Sequence, residues 1–145
     1  PTRRSSDLDI DYTGVDIVES MIDSHKKNYA SDHVHFMCLD IVEDELPEGD
    51  ACFIRQVIQH LSNDDIQRVL AKLKKYRYAL ITEHVTPKSR ARVFNADIHT
   101  GCHNRIVFGS GVYLDEAPFS LKPEILLRVP YDPNNNSELV TYLLQ

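Results

Sequence analysis

Four short apolar runs each end in a residue able to do chemistry. Tyr12 to Val15 runs into Asp16, His33 to Leu39 into Asp40, Ala51 to Ile54 into Arg55, and Tyr78 to Thr82 into Glu83 and His84. A carboxylate such as Asp16 can accept both hydroxyl hydrogens of a ribose. It can also cap the helix that starts at Ile17, since Asp is a favoured N-cap. Asp40 can accept a hydrogen bond from an adenine amino group, or it can shape a turn. Arg55 follows an apolar run, where a cation needs a partner. That partner is either a ligand carboxylate, held by a charge-assisted bond, or an acid of the chain itself. Glu83 and His84 could serve as an acid/base pair, with His84 the better base because its ordinary pKa lies near neutrality. The bland alternative is that one of them faces solvent. His60, in the turn after Arg55, is either a substrate contact or a capping and packing residue.

These residues converge only if the runs are strands of one kind of sheet. Ile17 to Tyr29 reads as a helix with Val18, Met21, Ile22, His25 and Tyr29 on one side. Ala51 to Ile54 is short and apolar, as expected for a strand covered on both faces. Ser62 offers an N-cap, with Asp64 and Asp65 in the following first turn. Ile66, Val69, Leu70 and Leu73 then form an i, i+3, i+4, i+7 stripe. Strands alternating with helices imply parallel β-α-β units. In such sheets ligands bind beyond the carboxyl ends of the strands. Residues 85–123 hold no periodic pattern, and a loop that long has either a function or hidden structure. Ile125 to Val129 and Leu139 to Leu144 flank the turn signal from Pro130 to Ser137, which predicts an antiparallel hairpin.

Composition excludes several classes. The chain has 145 residues, is 42% hydrophobic and 26% charged, and carries a net charge of −6, ordinary values for one globular domain. Residues 1–50 hold 13 acidic and 4 basic side chains, whereas residues 51–145 hold 9 and 12. No basic cluster interleaved with aromatics argues for nucleic acid, and no apolar run reaches membrane-spanning length. The 3 cysteines form no disulfide framework, which predicts a reducing, cytoplasmic setting. His99, Cys102 and His103 fall short of the four ligands of a structural zinc site, so no metal is assigned. Oligomeric state is not legible. Pro1 to Leu8 fits nothing that follows and resembles one reading frame of a common DNA sequencing adapter. We read residues 1–9 as a non-native leader and 10–145 as a single partial domain.

The runs Tyr12-Thr-Gly-Val-Asp16, Phe36-Met-Cys-Leu-Asp40-Ile41 and Gly49-Asp50-Ala-Cys-Phe-Ile-Arg55-Gln-Val-Ile-Gln-His60-Leu61-Ser62 together resemble class I S-adenosylmethionine-dependent methyltransferases. The resemblance implies a Rossmann-like α/β fold, mostly parallel, with a C-terminal antiparallel hairpin and strand order 3-2-1-4-5-7-6. It implies S-adenosylmethionine as cofactor. Asp16 and Ile17 would lie at the ribose, Asp40 and Ile41 near the adenine, and Arg55 by the methionine moiety. The segments Asn95-Ala-Asp97-Ile98-His-Thr-Gly101 and Leu114-Asp-Glu-Ala-Pro118-Phe119 resemble a subgroup of small bacterial-type members. There this loop covers the acceptor side, which would bring His60, Asn95 and Asp97 to the substrate. The acceptor itself is not implied.

One departure is informative. None of the 5 glycines precedes Gly14, so the family's first strand and glycine-rich loop have no counterpart. Losing about five buried strand side chains forfeits on the order of 8–15 kcal/mol, against a typical domain stability of about 5–15 kcal/mol. The expectation is an unstable, inactive or rearranged chain, with methyl transfer belonging to an intact parent. Two alternatives remain. A nicotinamide-dependent dehydrogenase also places an acid at the ribose, although the closing hairpin speaks against it. A non-catalytic methyltransferase-like scaffold would share the fold without the activity.

Overall fold

Ser62 ends an irregular turn and accepts the Asp65 backbone N–H on its side chain at 3.1 Å. That cap starts a helix at Asn63, and the stripe read from the sequence is its buried face: Ile66, Val69, Leu70 and Leu73 are all enclosed. Four such side chains contribute about 6–12 kcal/mol of gross burial. The same logic, one element at a time, organises a chain that divides into two compact units, Pro1–Pro47 and Glu48–Gln145. The computed structural model describes residues 10–132 and 137–145. Residues 1–9, read above as a leader, and most of the turn signal before Ser137 lie outside the described residues.

In the first unit, strand β1 (Tyr12–Asp16) pairs in parallel with β2 (Val34–Cys38), in a register that sets Gly14 opposite Phe36 and Asp16 opposite Cys38. Helix α1 (Glu19–Tyr29) connects them. It starts two residues later than its apolar pattern suggests because Ile17 and Val18 form the turn out of β1. Of the five residues on its expected inner side only Ile22 is buried, and Val18, Met21 and Tyr29 are exposed. Gly14 is required where it stands. A Cβ there would sit 2.8 Å from the Phe36 ring, closer than any side chain tolerates, so the missing side chain is what lets that ring lie across β1.

In the second unit, β3 (Ala51–Arg55) pairs in parallel with β4 (Tyr78–Val85), with α2 (Asn63–Leu73) between them in sequence. The closing hairpin is present: β5 (Glu124–Asp132) and β6 (Ser137–Leu144) are antiparallel, and β6 also pairs antiparallel with β4. The sheet order is β3-β4-β6-β5. The last strand is therefore the inner one, which fits its side chains. Val140 and Tyr142 of β6 are buried, whereas Ile125, Leu126 and Leu127 of β5 are exposed. The two sheets, β1-β2 and β3-β4-β6-β5, correspond to the 3-2 and 4-5-7-6 runs of the order implied by the resemblance.

Two sequence expectations need correction. Strand β3 is not covered on both faces: it is an edge strand, and Phe53 at its centre is 74% exposed. Strand β4 does not stop at Thr82. It continues through Glu83 and His84 to Val85 because β6 pairs with it along that whole stretch, from Ala79–Leu144 to Val85–Glu138. Both chemical candidates at its end are thus inside the strand.

The long segment after β4 has hidden order. A 3-10 helix spans Arg105–Phe108, the Tyr113 hydroxyl donates to the Thr86 carbonyl at 2.6 Å, and Gly111 lies so close to β4 that a Cβ would be 2.6 Å from that of Val85. No helix among the described residues is long and apolar enough to cross a membrane.

Candidate functional site

In the first unit, Asp16 and Asp40 stand at the same end of the β1–β2 pair. Asp16 is opposite Cys38, and the Leu39 N–H donates to the Asp16 carbonyl at 3.0 Å. Asp16 is not the cap of α1, whose N-cap position is Val18 with no side-chain cap bond. The Asp16 Oδ1 accepts the Val18 N–H at 2.8 Å and steers the chain into α1. Its Oδ2 has no partner among the described residues. Asp40 is used as a turn former: Oδ1 accepts the Val42 N–H at 2.8 Å, and the Asp40 N–H donates to the Asp44 carboxylate at 2.9 Å. Ile17, next to Asp16, is 65% exposed, and Ile41 is half-buried. A cavity of about 150 Å³ is lined by Asp16, Tyr12, Gly14, Ile22, His25 and Phe36.

In the second unit, Arg55 closes β3 opposite Thr82. It is exposed, and its guanidinium forms no ion pair among the described residues. The chain then turns sharply. Gln56 adopts φ 54, a conformation costly for a residue with a Cβ, and its N–H donates to the Thr82 carbonyl at 2.8 Å. A short 3-10 helix, Ile58–His60, follows.

Two fully buried side chains hold this turn. The Glu83 carboxylate accepts the backbone N–H groups of Val57, Ile58 and Gln59 at 3.2, 3.1 and 3.3 Å. The Arg105 guanidinium, 1% exposed, donates to the carbonyls of Gln59 at 3.0 Å, Leu61 at 2.7 Å and Ala96 at 2.8 Å, and to Asn63 Oδ1 at 2.9 Å. One side chain takes the turn's donors and the other takes its acceptors. Orphan backbone groups of a buried turn must be satisfied somewhere, and here no water is needed. Sequence reasoning passed over Arg105. The signal was present, because a lone cation precedes the apolar run Ile106-Val107-Phe108, the same argument that singled out Arg55.

The electrostatics follow from burial. Burial pushes the Glu83 carboxyl up to about 8, while the three N–H donors and Arg105 pull it back. Burial lowers the Arg105 guanidinium, opposed by Asp97 and Glu83. A carboxyl with a raised folded pKa keeps its proton in the fold and loses it in the open chain. From the unperturbed 4.5 up to about 8, Glu83 therefore makes stability fall as pH rises. Glu83→Gln is expected to remove that contribution. Urea midpoints at pH 5 and pH 8 check it: the drop between them should shrink in the variant, and equal drops would refute the assignment.

The remaining candidates are also placed. His60 is half-buried, with Nδ1 3.0 Å from the His103 carbonyl and Nε2 3.2 Å from the Gln59 amide nitrogen. Asp97 accepts the Asn63 N–H at 2.8 Å and so serves the first turn of α2. Asn95 is buried, and its side chain bonds the backbone of Tyr113 and Ala117. His84 is buried against the Tyr131 ring at 4.6 Å, and burial lowers its pKa, opposed by Asp132. Its Nε2 has no hydrogen-bond partner among the described residues. His99, Cys102 and His103 are exposed, and no group of three or more such side chains among the described residues is arranged to hold a metal.

Comparison with known proteins agrees with this architecture. The N-methyltransferase NodS from Bradyrhizobium japonicum WM9, solved with S-adenosyl-L-homocysteine, matches with a TM-score of 0.58 at 11% identity, over 90% of this chain and 65% of its own. Human N-acetylserotonin methyltransferase, solved with SAM, matches with a TM-score of 0.53 at 11% identity, over 90% and 39%. The PH0226 protein from Pyrococcus horikoshii OT3 matches with a TM-score of 0.56 at 16% identity, over 97% and 74%. The chain thus spans about 65% of the first of these and 39% of the second. Likeness at such identities establishes the fold. No curated protein sequence matches the chain. A family model described as a methyltransferase domain matches residues 2–76, half of the sequence. On that match the chain belongs to the class I methyltransferase-domain family.

Proposed function

We propose that this protein uses S-adenosylmethionine to methylate an acceptor, and that its first unit holds the nucleoside end of that cofactor. The observation that carries this reading is Asp16. It sits at the carboxyl end of a parallel strand, with one oxygen fixed by the Val18 N–H and the other without a partner among the described residues. Oδ2 and the remaining lone pair of Oδ1 can accept the two hydroxyl hydrogens of a vicinal diol, so the residues fit the group. Ile17 offers an exposed apolar side chain beside the carboxylate. Asp40 and Ile41, at the same end of the β1–β2 pair, are assigned to the adenine. In the second unit, Arg55 is the proposed partner of a carboxylate.

When bound, the cofactor supplies an electrophilic methyl group. What the chain supplies is placement, which is worth several kcal/mol in bimolecular chemistry. His60 and the loop residues Asn95 and Asp97 are proposed to shape the acceptor side. Asn95 and Asp97 do so through backbone contacts. Of the two acid/base candidates, Glu83 supports the turn that carries His60, and His84 stays a neutral buried imidazole.

Calorimetric titration with S-adenosylhomocysteine tests the reading. Asp16→Ala is expected to weaken binding about 10- to 100-fold, the loss of a charge-assisted bond of about 1.5–3 kcal/mol. Equal affinity in both proteins would remove Asp16 from the site. Binding of a nicotinamide dinucleotide in place of S-adenosylhomocysteine would replace the methyltransferase reading with a dehydrogenase.

A further inference from the structure

His60 has a tautomer dictated by its neighbours. Its Nδ1 lies 3.0 Å from the His103 carbonyl. A carbonyl only accepts, so Nδ1 carries the proton. In the neutral ring Nε2 is then a bare acceptor. The Gln59 amide nitrogen, 3.2 Å from Nε2, must therefore be the donor there, which leaves Gln59 Oε1 buried without a partner. The amide orientation is thus fixed by the network. Gln59 divides its donors between Nε2 and the Gln56 carbonyl at 3.4 Å. The contact to the Gln56 carbonyl is longer than a well-formed bond and the one to Nε2 lies at the upper end of the range, so a better donor could displace the amide from Nε2.

The backbone at both ends of this arrangement is held by the two buried side chains Glu83 and Arg105. Glu83 fixes the N–H groups of residues 57–59, and Arg105 fixes the carbonyls of Gln59 and Leu61, on either side of His60. Arg105 also starts the 3-10 helix two residues after His103. It therefore ties the segment carrying the Nδ1 acceptor to the segment carrying the ring. We propose that Glu83 and Arg105 are positioning residues that hold the His60 ring with Nδ1 on the His103 carbonyl and Nε2 directed at the methyl acceptor, where an O–H or N–H of a hydroxyl or an amine takes the place of the Gln59 amide. This rests on the methyltransferase reading for the identity of the substrate, but the imidazole geometry is independent of it. A hydroxyl or an amine N–H can donate to the Nε2 lone pair.

The test is a long-range proton–nitrogen correlation spectrum of the imidazoles in the full ¹⁵N-labelled chain at pH 8, with His60→Gln to assign the signal. The wild-type ring is expected to be protonated at Nδ1 and bare at Nε2. A wild-type ring carrying its proton on Nε2, as free histidine prefers, overturns the proposal whatever the variants do. Glu83→Gln and Arg105→Lys are expected to shift His60 toward the Nε2–H form while the buried His84 keeps its signal, which a general loss of structure would not do. A His60 signal unchanged in both variants also overturns it. S-adenosylhomocysteine affinity, read in the same samples, separates the two readings. No binding alongside the expected tautomer sinks the methyltransferase reading and leaves the clamp standing. Binding with the wrong tautomer does the reverse.

Discussion

Arg105→Ala is expected to destabilise the second unit by about 3–5 kcal/mol, because it leaves several buried carbonyls unpaired at about 1–3 kcal/mol each. The guanidinium has no solvent to return to, and its donors serve the carbonyls of Gln59, Leu61 and Ala96 and the side chain of Asn63. Each carbonyl left buried and unpaired costs about 1–3 kcal/mol unless the turn opens to water. Opening the turn in turn strips Glu83 of its three N–H donors. Arg105→Lys should recover less than half of the loss, because an ammonium is a point donor and cannot fork across three carbonyls. Urea unfolding measures both. A loss below about 1 kcal/mol for the alanine variant would mean that the turn does not depend on the clamp.

The second large effect is expected at Asn95. Its Oδ1 accepts the Tyr113 N–H at 2.7 Å, and its Nδ2 donates to the Tyr113 carbonyl at 3.0 Å and the Ala117 carbonyl at 2.8 Å. Its backbone is in the left-handed region at φ 51, where asparagine is tolerated and alanine costs about 1–2 kcal/mol. Asn95→Ala loses the bonds and adds that strain, so a destabilisation of about 3 kcal/mol is expected. Asn95→Gly loses the same bonds without the strain and should be milder by about 1 kcal/mol. Equal losses in the two variants, measured by thermal or urea unfolding, would show that the conformation is not the source of the effect. The ordering matters for the site, since Asp97 two residues on serves the N–H of Asn63.

These expectations show why a sequence reading of the site goes only so far. Asn95 and Asp97 were visible as polar residues in a loop similar to an acceptor-covering one. Nothing in one dimension says that an asparagine will turn inward and satisfy backbone 18 or more residues away. Glu83 was visible too, but its strand was expected to end at Thr82. Pairing with β6, nearly sixty residues later in the chain, is what extends β4 and takes Glu83 out of solvent.

What the sequence by itself determined is local. Helical periodicity placed Ile66, Val69, Leu70 and Leu73 on one buried face, and Ser62 was legible as the cap because capping involves residues three apart. The strands ending at Asp16 and Arg55 and the closing hairpin followed from short-range pattern and turn chemistry. Which side chains those strand ends leave free was decided by tertiary structure. Among the described residues, Asp16 and Asp40 each give one oxygen to the N–H two residues on and keep the other, whereas Glu83 is consumed by backbone from another part of the chain. The physical reason is that a buried polar group is defined by its partners. For Glu83 those partners lie 24 to 26 positions away, and for Arg105 all but Ala96 lie 42 to 47 positions away, beyond the reach of any local pattern.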